Sequence, residues 1–439
     1  MLQRCWRDAQ VSLMPLLRKM EQAASAHYQT DVSSRPSFNN SDRMQLATVA
    51  HADEAFFRSL ATQEADHWTI AEFLPAPPTL PRLLEVIGQL YNVHFRKLHP
   101  SRQHQLASGW HSSIRTYQVL DGPAVAGVVS ASSRTLGYVY LDLEQRKGLF
   151  GSAEHMAGAM RLCSGHVYLS MNFRAASWGS MKLLNLEEVA SLAHELGHAV
   201  HMLCYGGGGS PDFDDLPLDV VELPSTLAEV VAMHPAVISL YARHHASGGP
   251  PPDSLIKSCQ HTVHFFVKYL QSMNVALGLH GDDFDPHSAT PVQLQQKAVA
   301  LWQQYSPVAA HPSFSPLGQD AGMFLALGAN QIAYLLCHLR ADAVLHARQD
   351  QRTARQQDFA QQWLRPEFAK SVRKQLLDRS FPAQQRRTSL LLSATDPAIR
   401  ERGTALPRKA ASLLDHPLPP LQPAATNLFS RLRMITHVG

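Results

Sequence analysis

His194-Glu195-Leu196-Gly197-His198 constrains this chain more than any other stretch, because histidines four positions apart lie on one face of a helix and can grip one ion. Zinc suits such a pair, and the glutamate between them would sit beside the metal as a base. The chain holds 24 histidines, and at its own His and Glu frequencies an H-E-x-x-H string arises by accident about 0.04 times. The surroundings must therefore carry the argument. Leu186, Val189, Ala190, Ala193, Leu196, Val200 and Leu203 recur at helical spacing between Leu183 and Cys204, with Asn185 and Glu188 placed as an N-cap and its capping-box partner. The pattern predicts a helix with the motif near its middle.

A catalytic zinc takes three protein ligands and keeps a fourth position open. Beyond the Gly206 to Gly209 loop, Asp219-Val220-Val221-Glu222-Leu223-Pro224-Ser225-Thr226-Leu227-Ala228-Glu229 reads as a second helix, with Glu222 and Glu229 two turns apart on one face. Glu222 is assigned as the third ligand, and Glu229 as the acceptor for the free N–H of a ligand histidine, a contact that fixes the tautomer. Spacing alone also allows the reverse order. Asp219 reads as a further supporting carboxylate, or as the N-cap of the second helix with Glu222 at the capping-box position. His155, His166, His201, His311 and His338 read as exposed or core-satisfied imidazoles, with His201 packing under the site.

These residues resemble the thimet-oligopeptidase family of zinc peptidases, most of all its mitochondrial intermediate peptidase branch. His194 through His201 is similar to the family's catalytic helix, and Val221-Glu222-Leu223-Pro224-Ser225 to its third-ligand segment. Upstream, Leu136 to Leu143, then Gln145-Arg146 and His155, resembles the strand and turn before that helix, and Val167 to Phe173 the next strand. The resemblance runs from about Ile70 to about Arg348. It implies a mainly α fold with a small antiparallel β-sheet, a gluzincin-type catalytic domain at the floor of a channel that admits short unfolded peptides. One Zn2+ per chain would be held by His194, His198 and Glu222. The zinc would lower the pKa of a bound water toward about 7. Glu195 would take the water's proton and pass it to the leaving amine. Tyr334 matches a transition-state tyrosine that would steady the oxyanion. An edge strand at Val167 to Phe173 would pair with the substrate backbone.

The chain also departs from the family. Its Ala321 to Tyr334 segment lacks the expected histidine, and Gln331 and Ile332 replace a substrate-contacting tyrosine and its neighbour. Each lost oxyanion donor costs about 100-fold to 1,000-fold in rate. Residues 1–69 alone precede the matched stretch, so most of the helical N-terminal half that walls the channel in relatives is expected to be missing, or supplied by a protein partner. Two functions follow: a zinc endopeptidase acting on short peptides, including presequence remnants, or a catalytically weakened zinc-binding subunit that binds peptides. The intact Glu195 favours the enzyme, since a structural zinc site needs no base.

Other features narrow the classes. A formal charge of +3 over 439 residues gives no electrostatic reason to invoke nucleic acid or an anionic membrane. There is no apolar run of about eighteen residues, as a membrane-spanning helix would need. Cys5, Cys163, Cys204, Cys259 and Cys337 are odd in number and lack C-x-x-C pairing, which favours reduced thiols. Arg4, Arg7, Arg18 and Lys19 against Asp8 fit a presequence or an amphipathic first helix, and the resemblance points to the mitochondrial matrix, with the cytoplasm as alternative. The layout predicted is a helical segment over 1–75 ending at the Pro75-Ala76-Pro77-Pro78 joint, a catalytic domain over 76–380 and a flexible or partner-folded tail over 381–439. Within it, Leu80 to Lys97, Ser254 to Leu279 and Val292 to Tyr305 read as helices, and Ile114 to Leu120 and Gly137 to Leu143 as strands.

Overall fold

The computed structural model describes residues 69–99, 101, 111–122, 133–144, 158–173, 176–178, 181–205, 213, 216–258, 262–279, 284–285, 288–306, 310, 314–319 and 332–346, with single positions 18, 22, 369, 370, 372 and 373. Most of the 1–75 segment, Gln145-Arg146, His155, the 206–209 loop, His311, the 321–331 stretch, Cys5, Cys259 and the 381–439 tail lie outside the described residues. The chain divides into two compact units, one built on residues 67–256 and 340–419, the other on 1–66, 257–339 and 420–439.

The first unit opens with helix α1 (Ala76–Tyr91), whose Pro77 and Pro78 fall in the first turn, where no backbone N–H is needed. The reading of Leu80 to Lys97 as one helix is corrected. Asn92 takes the left-handed conformation (φ 54°, ψ 47°), caps α1 through its N–H to the Gly88 carbonyl, and releases the chain into strand β1 (Val93–Lys97). Asparagine tolerates that conformation better than most residues, so it ends helices much as glycine does.

Four more strands complete a sheet: β2 (Arg115–Asp121), β3 (Thr135–Glu144), β4 (Gly158–Cys163) and β5 (His166–Phe173), in the order β1-β2-β3-β5-β4. The sheet is mixed rather than antiparallel, since β3 and β5 run parallel, with Tyr138 beside His166 and Tyr140 beside Tyr168. The cause is the tight β4–β5 turn, which Gly165 makes at φ +74°. It returns β5 antiparallel to β4 and inserts it against β3, leaving β4 outside. Val167 to Phe173 is therefore an interior strand, and the edge strand expected there is β4 instead. A short hairpin, β6 (Ala176–Trp178) with β7 (Met181–Leu183), follows.

Helix α2 (Leu186–Cys204) starts on the predicted capping box: the Glu188 N–H donates to the Asn185 side chain at 2.7 Å, and the Asn185 N–H donates to Glu188 Oε2 at 2.9 Å. Its buried stripe of Val189, Leu192, Ala193, Leu196 and Val200 packs against α1, the sheet and helix α3 (Leu218–Ala232). On the sheet side it meets the face bearing Val139, Leu141, Val167 and Leu169, all with 1% or less of their surface exposed. Helix α4 (Pro235–Tyr241) follows a sharp bend after α3. No single helix among the described residues is long and apolar enough to cross a membrane.

The predicted Ser254 to Leu279 helix forms as two, α5 (Asp253–Ser258) and α6 (Thr262–Leu279). In the second unit, α6 packs on α7 (Pro291–Gln303), where Asn274 donates to the Leu301 carbonyl at 2.7 Å. Helices α8 (Pro316–Gln319) and α9 (Ile332–His346) complete the described elements.

Candidate metal centre

Where α2 crosses α3, the two helices come close enough that a Cβ on Gly197 would lie 2.6 Å from Ser225 Cα and 2.9 Å from the Pro224 carbonyl oxygen. The glycine inside the H-E-x-x-H string thus permits the approach that brings the second helix's carboxylates to the histidines. His194 Nε2 lies 3.2 Å and His198 Nε2 3.3 Å from one oxygen of Glu222, Oε2. The donor atoms of these three residues all lie within 4.8 Å of one another.

Glu229, two turns on, reaches the other nitrogen of the same ring: His194 Nδ1 donates to Glu229 Oε2 at 3.1 Å. That bond leaves a lone pair on Nε2, aimed at the Glu222 carboxylate. Lone pairs so close repel unless a cation lies among them, a proton or a metal, so the donor set fits a metal ion. The alternative order, with Glu229 facing both histidines and Glu222 behind, does not match this geometry.

The charges respond accordingly. Burial opposes the His194 charge, but hydrogen bonds to Glu222 and Glu229, and their negative charges, push its pKa up to about 10. Burial would raise the Glu222 carboxyl, yet the His194 and His198 imidazoles hold it well below the usual carboxylate range. The raised His194 pKa stabilises the metal-free fold fully below the unfolded imidazole pKa of about 6.5, and this contribution is lost as pH rises through about 10. The depressed Glu222 contributes above its unfolded pKa, and that share is lost as pH falls through the lower folded value. Metal must displace the His194 proton, so apparent metal affinity is expected to rise about tenfold per pH unit between pH 7 and 9. Calorimetry in buffers of different ionisation enthalpy should count about one proton released per ion. A pH-independent affinity with no proton release would contradict the protonated His194.

Glu195 is buried, between His194 and His198 on the same helix. Burial raises its carboxyl pKa, the two imidazoles oppose the rise, and a backbone N–H of Ala159 donates to it. Ala159 lies on β4, the outermost strand on that side of the sheet among the described residues, so this strand comes up against the central glutamate of the motif. Nothing in the sequence marked Ala159, because its contribution is a backbone group.

His201 does pack beneath the site. It is fully buried, its ring meets Phe213 and Tyr205 edge to face, and burial, then the neighbouring His198, pushes its pKa down to about 3, keeping it neutral. Asp219 is not the N-cap of α3, a place Pro217 takes. It sits buried in the first turn and pairs with Arg340 at 2.9 Å. Tyr334 lies in the first turn of α9, half-buried, in the second unit. His166 stacks on Tyr138 and Tyr140 and bonds the Tyr140 hydroxyl at 2.7 Å. Cys163, Cys204 and Cys337 are free thiols, and burial raises Cys204 to about 11.

Another cluster, Glu72, His244 and His245, also has its donor atoms within 4.8 Å of one another. Its chemistry differs. His244 Nδ1 accepts the N–H groups of Ala246 and Ser247, both at 3.2 Å, which puts the ring's proton on Nε2, facing Glu72 at 3.4 Å. The single proton of a neutral His244 faces its carboxylate, whereas the single proton of a neutral His194 is held on Nδ1 by Glu229, so that Nε2 is open to a metal once the second proton of the imidazolium is displaced.

Mitochondrial intermediate peptidase of Arabidopsis thaliana is 28% identical over 49% of this chain and 30% of its own length. Saccharolysin of Saccharomyces cerevisiae is 27% identical over 54% of this chain and 33% of its own. Oligopeptidase A of Escherichia coli is 26% identical over 42% of this chain and 26% of its own. This chain thus spans about a third or less of the length of these relatives. The profile of Peptidase family M3 matches residues 4–321, beginning well before Ile70 and ending short of Tyr334. A match of that extent makes the chain a member of Peptidase family M3.

Proposed function

We propose that this chain is a zinc-dependent endopeptidase that hydrolyses short peptides, with His194, His198 and Glu222 holding one zinc ion. The observation that carries the reading is the convergence of both imidazoles on one carboxylate oxygen, with Glu229 fixing the tautomer of His194. Zinc, when bound, supplies a Lewis acid for the scissile carbonyl and acidifies the attacking water. Glu195 accepts the water's proton and returns it to the leaving amine; its burial raises its affinity for that proton. The outer side of β4, the last strand of the sheet among the described residues, is our candidate for main-chain pairing with an extended substrate, which gives affinity with little sequence preference. Tyr334 is our candidate for oxyanion support, and Asp219, tied to Arg340, for holding α3 in place. The likeness to a mitochondrial intermediate peptidase of Arabidopsis thaliana supports a mitochondrial location, for which we propose the matrix, with the cytoplasm as the alternative; presequence remnants are our candidate substrates there.

A second reading, a zinc-binding homologue with weakened catalysis that binds peptides, is favoured by Gln331 standing where the family resemblance places a substrate-contacting tyrosine, and by Ile332 in place of that tyrosine's neighbour. One experiment separates the two. Zinc-loaded protein is incubated with a mixed library of short quenched peptides, with and without chelator, and the cut bonds are located by mass spectrometry. Chelator-sensitive cleavage is the expected result. Zinc-loaded, folded protein that binds library peptides without cutting them would replace the peptidase reading with the binding one.

A further inference from the structure

Ser225 is a buried polar residue to which peptide hydrolysis by the centre described above gives no task. Ser225 is fully buried, and its Oγ lies 2.8 Å from the Glu222 carbonyl oxygen and 3.0 Å from Glu222 Oε2. The first contact is the ordinary bond of a helical serine to the turn before it. The second is not required by the helix. It reaches the same oxygen that lies 3.2 Å from His194 Nε2 and 3.3 Å from His198 Nε2.

The backbone under Ser225 is held from two sides. Gly197 of α2 presses against Ser225 Cα and the Pro224 carbonyl. The Tyr91 hydroxyl, at the end of α1, donates to that carbonyl. Burial pushes the Tyr91 pKa far up, so the hydroxyl keeps the proton it donates. Pro224 has no N–H to give the Val220 carbonyl, a gap that weakens the helix at this turn. Tyr91 and Gly197 restore from outside the rigidity that the proline removes.

A glutamate's terminal torsion is broad and roughly two-fold, so the helix alone does not decide which carboxylate oxygen faces the imidazoles. We propose that Ser225 is a positioning residue for the metal centre: its hydroxyl selects the Glu222 rotamer in which Oε2 converges with both histidines, on a backbone clamped by Gly197 and Tyr91. The proposal rests on the metal-binding reading above.

The test is the zinc dissociation constant, measured by competition with a fluorescent chelator, for the wild type, Ser225→Ala and Ser225→Cys. Cysteine is somewhat larger and donates only weakly, and serves if the alanine variant does not fold; a sulfur-to-cobalt charge-transfer band would show that its thiolate has itself become a ligand. Both variants are expected to bind zinc about 10-fold to 100-fold more weakly, with alanine the weaker. The urea midpoint of the metal-free proteins should move little. Cobalt substituted at saturating concentration should show altered d–d absorption, a change that lowered stability alone would not produce. Wild-type affinity and an unchanged cobalt spectrum in both variants would overturn the role of Ser225 and leave the metal centre standing. A wild type that binds no zinc would overturn the metal reading, and this proposal with it.

Discussion

Replacing Glu195 by glutamine is expected to lower kcat/KM on short peptides by about 100-fold to 10,000-fold, the range assigned to a positioned general acid–base, while zinc binding persists. The convergent donors are His194, His198 and Glu222, so the substitution removes none of them. Glutamine matches glutamate in size, and its carbonyl oxygen can still accept the Ala159 N–H, so helix and edge strand keep their contact. The amide cannot take a proton from water at neutral pH. The loss should fall on kcat rather than KM, because the proton moves in the transition state and not on binding. Undiminished turnover by the variant would mean that another group serves as base and that the motif is read wrongly. The measurement is steady-state cleavage of a peptide from the library, with zinc content determined in parallel.

Gly197→Ala is expected to have the largest effect on the fold, about 3 kcal/mol at the upper end of overpacking costs. The added Cβ would meet Ser225 Cα at 2.6 Å, the Pro224 oxygen at 2.9 Å and the Ser225 nitrogen at 3.1 Å, and all three are backbone atoms that cannot swing aside. The α2 and α3 helices must then separate. Glu222 rides on α3, so its carboxylate moves away from His194 and His198, and zinc affinity should fall with stability. Urea denaturation of the metal-free protein and chelator competition test the two halves. A wild-type midpoint would show that the helices are not as close as this crossing requires. Loss of stability without loss of zinc affinity would show that the donors tolerate the displacement.

The parts of this centre that could be read from the sequence are those joined by helical periodicity. His194 and His198 share a face because they are four residues apart, and the capping box of Asn185 and Glu188 announces where their helix starts. The Glu222 and Glu229 pair follows the same rule, and both reach the ring of His194. Which of the two faces both histidines depends on how α3 crosses α2, and a carboxylate's sequence position carries no record of that angle. The Asn92 turn was missed because Leu80 to Lys97 keeps a helical density of apolar residues, and a single left-handed asparagine interrupts it.

The sequence by itself determined the local elements: the H-E-x-x-H helix, the neighbouring carboxylate helix, the strands at Ile114 to Leu120 and Gly137 to Leu143, and the family to which they belong. Tertiary structure alone decided which strands are neighbours, that β4 rather than Val167 to Phe173 forms the margin by Glu195, that Asp219 meets Arg340, and that Ser225 reaches the Glu222 carboxylate. The physical reason is range. Periodicity and capping are set by interactions within a few residues, whereas strand order, helix crossing and buried hydrogen bonds join residues distant in sequence and are settled only when the core closes.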